Sequence, residues 1–296
     1  MQNGMGNGMG NGMDVTEYGT EQEAELIMLG TGHAMVTKCY NTCFALRLGG
    51  EYFLVDAGGG NGILVQMEAA GIPFGKVHRM FVTHAHTDHI LGAVWVIRKV
   101  AALLRAGEYQ GELTLYCHDK VKEILGFMCG QMLPGKFRAF LGKRIFLETV
   151  EDGDVREWEG AHLTFFDIGS TKEKQFGFAA VLPDGVRLVC LGDEPYHERN
   201  RNQAFGCDWL LGEAFCLDAE KERYRPYEKH HSTALDAGKT AAELEVGNLV
   251  LYHTEDGCLP ERKRRYTQEA RRHYGGNVYV PEDLEKINLT PGSRKS

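Results

Sequence analysis

The apolar positions of this chain fall in short runs divided by glycine- and proline-bearing breaks. Glu25 to Leu29 predicts a strand, and Thr42 to Leu48 with Tyr52 to Val55 predicts a hairpin. Met80 to Thr83, Leu113 to Cys117, His162 to Phe166, Val186 to Leu191 and Leu249 to Tyr252 predict further strands. Elsewhere the period changes. Val94, Ile97, Ala101 and Leu104 recur at helical spacing within Ala93 to Ala106, and Val121 to Met132 and Ala234 to Leu244 also predict helices. Leu133-Pro134-Gly135 ends the second of these.

With 296 residues, 43% of them hydrophobic, the chain can bury a substantial core in one α/β domain. That domain is expected over residues 23–290, with a tail at 291–296 and a leading tail at 1–22. Met1 to Met13 repeats Gly-Asn-Gly-Met and cannot bury enough surface to offset its ordering entropy, so disorder is expected there. A formal charge of −8 argues against a basic coat for nucleic acid. The 8 cysteines stand singly with no CxxC pair, and no apolar run is long enough for a membrane span. Reduced thiols, a cytoplasmic location and no membrane partner are therefore expected. Two basic stretches stand out. Lys136 to Lys143 reads as a lid or as an amphipathic connection, and Arg262 to Arg265 with Arg271-Arg272-His273 reads as a solvent-facing helix or a phosphate-receiving patch.

The densest chemistry lies in Thr83 to Gly92, where His84, His86, Asp88 and His89 directly follow a predicted strand. As the chain leaves the sheet, His84 and His86 can converge on one side while Asp88 and His89 face a second locus close by. Imidazole and carboxylate suit borderline divalent ions, so the pattern predicts one or two ions, zinc with manganese, iron or nickel as alternatives. Asp56, at the end of another predicted strand and followed by Gly58-Gly59-Gly60, is a candidate to hold the histidine loop by hydrogen bonds without binding metal itself.

His84, His86, Asp88 and His89 form the HxHxDH signature and resemble the metallo-β-lactamase superfamily; the opening Leu-Gly-Thr-Gly-His33-Ala-Met and Asp56-Ala-Gly-Gly-Gly are similar to its ribonuclease Z-like branch. The resemblance implies a four-layer αβ/βα sandwich with metals at one edge of two sheets. It implies that Asp193 bridges the ions and His253 completes the second metal position, alongside Asp88 and His89. It further implies that His231, in His231-Ser-Thr, is the catalytic acid and that Glu213 orients it, while Asp88 orients the attacking water. The chain departs from that pattern at several points. The third histidine of the first metal position is missing, with Thr171 at its place by gapless counting and Asp167 as a nearby carboxylate, so that position is expected to be weak. His33 replaces a small residue, Gly212 a histidine and Phe215 a threonine. Only a short segment separates Phe178 from Val186, where transfer-RNA-processing relatives carry a long arm, which argues against transfer RNA as the substrate. A phosphodiesterase acting on a small or short phosphodiester is the expected activity. A lactone or thioester hydrolase and a catalytically degenerate binding protein are the alternatives, and a second copy of the chain is a candidate partner.

Overall fold

The computed structural model describes residues 24–292, so the repeat-bearing leading segment and the last four positions lie outside the described residues. Among the described residues, fourteen strands form two sheets of seven. They are β1 (Glu25–Gly30), β2 (Cys43–Leu48), β3 (Glu51–Val55), β4 (Val77–Val82), β5 (Leu113–Cys117), β6 (Ile145–Thr149), β7 (Val155–Trp158), β8 (Ala161–Asp167), β9 (Phe176–Val181), β10 (Arg187–Cys190), β11 (Trp209–Glu213), β12 (Asn248–Tyr252), β13 (Asn277–Tyr279) and β14 (Lys286–Asn288). The helices are α1 (Gly62–Ala69), α2 (Thr87–Ala106), α3 (Asp119–Met132), α4 (Gly135–Arg138), α5 (Arg201–Ala204), α6 (Lys221–Tyr224), α7 (Ala234–Glu243) and α8 (Leu259–Ala270). The first sheet runs β14-β1-β2-β3-β4-β5-β6 and the second β13-β12-β11-β10-β9-β8-β7.

Alternation along each strand divides its side chains between two cores. In β1, Ile27 and Leu29 face the core under α1, α2 and α3, while Leu26 and Met28 face the space between the sheets. In β12, Val250 and Tyr252 join that central core, and Leu249 and Leu251 pack beneath α7 and α8. Strands covered on both faces read as continuous apolar runs, which is why they were legible as strands without a polar face. Three apolar layers between four structural layers are the αβ/βα sandwich expected. The predicted elements recur with ends moved by a few residues, except that α2 starts earlier, at Thr87, and so takes Asp88 and His89 into its first turn.

Parallel pairing in β3-β4-β5 and in β10-β11-β12 sends the carboxyl ends of these strands to one edge. The two halves are joined there: the His33 amide donates to Thr254 O (3.2 Å) and the Thr254 amide to Thr31 O (3.0 Å). Lys136 to Lys143 packs as a connection, with Phe137 buried against the first core and α4 beside α2. The basic stretch on α8 is absorbed by pairing. Arg262 is buried and donates to Thr31, Thr254 and Pro281 O, while Lys263, Arg264 and Arg265 pair with Glu285, Glu261 and Glu220. No helix among the described residues is long and apolar enough to cross a membrane.

Helix α2 lies directly on the loop that follows β3. The Gly92 amide donates to Gly58 O at 2.9 Å, and a Cβ at Gly92 would lie 1.8 Å from Ala57 O, a backbone atom that cannot turn away. Gly92→Ala should therefore push α2 off the loop and destabilise the chain by about 3 kcal/mol, at the upper end of overpacking costs. Denaturant unfolding checks this, with wild-type stability as the contrary result.

Candidate metal centre

Most site residues sit where a strand of the sandwich runs out. Asp56 follows β3, His84 follows β4, Asp193 lies beyond β10, Glu213 ends β11, and His253 follows β12; Asp88 and His89 open α2. Asp56 and His253 have φ of 54° and 57°. Non-glycine residues in the left-handed region are uncommon, and such strain concentrates at functional sites.

Asp56 acts as the clamp expected of it. Its carboxylate accepts from the Thr83 amide and hydroxyl, both at 2.8 Å, and stands 2.7 Å from His89 Nδ1. Thr83 Oγ1 is in turn 2.9 Å from His84 Nδ1. Across the cleft, Thr42 Oγ1 is 3.0 Å from His253 Nδ1. The Nδ1 atoms of three histidines are thus engaged from behind, which turns their Nε2 atoms toward one another.

Those Nε2 atoms surround a single oxygen. Asp193 Oδ2 is 3.6 Å from His84 Nε2, 3.5 Å from His89 Nε2 and 3.5 Å from His253 Nε2. His89 Nε2 also lies 3.4 Å from Asp88 Oδ2 and has no hydrogen-bond partner although buried. These separations are too long for hydrogen bonds. They match ligand atoms on one cation, since donors about 2.1 Å from a tetrahedral centre stand about 3.4 Å apart. Three sets of donors lie within 4.8 Å of one another: His84, His89 and Asp193; Asp88, His89 and His253; and Asp193, His231 and His253. The residues therefore fit a divalent ion. His86 is half-buried at the rim, its Nδ1 2.9 Å from His84 Nε2.

Burial sets the electrostatics. It lowers His84 well below the ordinary imidazole value, lowers His86 too, and takes His253 down to about 3, leaving neutral rings with lone pairs to offer. Burial would raise Asp193 and Asp88, but the neighbouring histidines outweigh it and hold both carboxylates low. His89 goes the other way: burial opposes its charge, yet Asp88 and Asp56 win and hold it high.

Two expectations need correction. Thr171 does not reach the cluster: it is exposed, with Oγ1 3.2 Å from His230 Nδ1. Asp167 closes β8 and accepts from the Gly169 amide at 2.7 Å, so neither supplies the third donor. The residue found behind the first position is Gln175, whose amide nitrogen is 2.8 Å from His84 Nδ1 and also donates to Asp193 Oδ1. Its only signal in sequence is its place directly before Phe176 at the start of β9, where strand alternation turns alternate side chains inward.

The second correction concerns His231 and Glu213. They are neighbours, but Nδ1 of His231 is 3.8 Å from Glu213 Oε2 and has no hydrogen-bond partner. Glu213 spends its oxygens on the backbone amides of Ser232 and Phe215. Burial pushes the Glu213 carboxyl up and His231 down to about 4, opposite to the shifts of an ion pair. Glu213 therefore ties β11 to the turn carrying His231 and stands beside the ring, outside hydrogen-bond distance. His33 does enter the site, its ring 6.3 Å from that of His253 and its Nε2 3.2 Å from Glu255.

The family described as Anti-Pycsar protein Apyc1 matches residues 24–213. Ribonuclease Z of Thermococcus sibiricus is 26% identical over 305 residues, covering 90% of this chain and 96% of that protein. Among solved structures, the metallo-β-lactamase fold protein YhfI from Bacillus subtilis superposes with a TM-score of 0.74 at 16% identity, over 90% of this chain and 99% of that one. Human tRNase Z, short form, gives 0.68 at 20% identity, over 90% and 99%. The expectation that transfer RNA is not a substrate gains no support from relatives so named.

Asp56→Asn should weaken zinc binding about 10- to 100-fold, as expected when a residue that orients metal-binding histidines is lost. Calorimetric titration with zinc reads this directly, and unchanged affinity would refute the clamp.

Proposed function

The chain belongs to the family described as Anti-Pycsar protein Apyc1 and is a metallohydrolase of the ribonuclease Z-like branch of the metallo-β-lactamase superfamily, and on that premise we propose that it hydrolyses a small or short phosphodiester. The observation that carries this reading is the set of three Nε2 atoms around Asp193 Oδ2 at 3.5 to 3.6 Å, with the half-buried His86 beside it. Asp88, His89, Asp193 and His253 are the proposed holders of a tight ion. His84, His86 and Asp193 would hold a weaker one, because neither Thr171 nor Asp167 stands beside them. Zinc is the proposed metal, since the donors are imidazole and carboxylate; manganese, iron or nickel would accept the same set.

Divalent ions bound here supply Lewis acidity toward a phosphoryl oxygen and make water acidic near neutral pH. The chain's own residues do the rest. Asp88, held anionic by the histidines beside it, accepts a hydrogen bond that orients the attacking water. Burial takes His231 down to about 4, and an anionic substrate beside it favours the imidazolium, which supplies the proton. It then gives that proton to the leaving oxygen. Lys172 and Lys229 stand at the rim, with Lys172 Nζ 3.3 Å from Lys229 O, where they favour a substrate that carries negative charge. The tight turn between β9 and β10, with the Leu182 amide donating to Val186 O at 2.9 Å, supports a small substrate because no arm extends from it. The ribonuclease name of the relative makes precursor transfer RNA the competing substrate to measure beside it.

Purified zinc-loaded chain should hydrolyse an aryl phosphodiester faster than a carboxylic ester, lactone, thioester or precursor transfer RNA, lose that activity to a chelator, and lose about 100-fold or more in kcat on His231→Ala with an unactivated leaving group. Absence of chelator-sensitive turnover on every phosphodiester refutes the reading, and faster cleavage of carboxylic substrates reassigns it. Metal analysis should find nearer one tightly held ion than two per chain; two equally tight ions would contradict a weak first position.

A further inference from the structure

His33 and Phe215, two of the positions at which this chain departs from the ribonuclease Z-like pattern, are in contact, with ring centroids 4.6 Å apart. The ring of Phe215 also lies parallel to the imidazole of His231, at 4.7 Å between centroids and 5° between planes. Phe215 is held in place by its main chain. Its amide is shared between Ser232 O at 3.0 Å and Glu213 Oε2 at 3.1 Å, and its carbonyl accepts from the Glu255 amide at 2.8 Å. Glu255 is also the partner of His33, so one loop braces both rings.

His231 needs such a brace. An imidazole acting on a leaving group has to present one nitrogen in a fixed direction, and a carboxylate on the opposite nitrogen commonly does this. Here the opposite nitrogen, Nδ1, is buried without a partner, and Glu213 is committed to backbone amides. With Nδ1 unpartnered, no hydrogen bond on that side fixes the plane of the ring. A parallel aromatic face removes that freedom, because tilting the imidazole would drive its edge into the neighbouring ring.

We infer that Phe215 is the positioning residue for His231, setting the plane of the imidazole by face-to-face stacking in place of a carboxylate hydrogen bond, with His33 bracing Phe215. This rests on the reading of His231 as proton donor to the leaving group.

The test compares two methyl aryl phosphates on the zinc-loaded full chain: a phenyl ester, whose leaving group needs a proton, and a nitrophenyl ester, whose leaving group does not. His231→Ala should lower kcat by about 100-fold on the phenyl ester and far less on the nitrophenyl ester. Phe215→Leu, which keeps apolar bulk without a flat face, should reproduce that split at about five- to tenfold on the phenyl ester with KM little changed, the size expected for losing an aromatic pair. Phe215→Tyr, which keeps the ring, should restore wild-type kcat on both esters. Zinc content and thermal unfolding report whether each variant is folded, and Phe215→Met is read in the same way if Phe215→Leu is not. Equal losses on both esters in His231→Ala overturn the proton-donor reading itself. A split in His231→Ala with equal losses, or none, in the Phe215 variants overturns the stacking role alone.

Discussion

A carboxylate removed from water has to be met by positive charge or by hydrogen-bond donors, and this structure buries three of them, Asp56, Asp88 and Asp193, within one cluster. Everything at that sheet edge is arranged around them. Asp56 is satisfied by the Thr83 amide, the Thr83 hydroxyl and His89, which consumes the back of the histidine loop. Asp193 accepts from Gln175 on Oδ1, and its Oδ2, like Asp88, faces imidazoles at distances that leave room for a cation between them. Competition between burial and neighbouring charge then sorts the histidines. His84 and His253 are kept neutral, while His89, between two carboxylates, favours its charged form until something else supplies positive charge.

The sandwich makes this arrangement possible by holding strand ends still. Every contributing strand is packed on both faces, between the central core and an outer helical layer, so the residues just past each end inherit a fixed origin. The left-handed backbone at Asp56 and His253 is tolerable for the same reason: dense packing over-determines both positions. The first turn of α2 adds the last constraint. It carries Asp88 and His89 on a helix that sits directly on the loop after β3, so the Nε2 side of His89 and its loop-clamping Nδ1 side are set together.

The second half of the site is built from rings more than from ion pairs. His33, Phe215, His231 and His253 form a continuous series of ring contacts beside the carboxylates. Seen in sequence, His33 and Phe215 are isolated departures from a pattern. Seen in space they adjoin, with ring centroids 4.6 Å apart.

Much of this was legible in the residues alone. The apolar runs identified strands because each is buried on both sides, and the tight spacing of His84, His86, Asp88 and His89 has no use in folding, so it pointed to metal. Asp56 was legible as a clamp because it stands where a strand ends. Counting along the chain failed where a loop intervened: Thr171 was aligned to a ligand position by sequence distance, but the turn from Asp167 to Gln175 carries it to the surface and brings Gln175 inward. Pairing failed where two residues are close but differently engaged. Glu213 and His231 share a pocket, yet the nearer amides of Ser232 and Phe215 claim the carboxylate first. The basic run of α8 likewise divides, by helical geometry, into one buried arginine and several surface pairs. Residue type and local period thus determined the strands, the helices and the metal-binding character of this chain. Which donors meet, which carboxylates are already occupied and which ring fixes His231 were decided only by tertiary structure, because those depend on distances of a few ångströms between segments far apart in sequence.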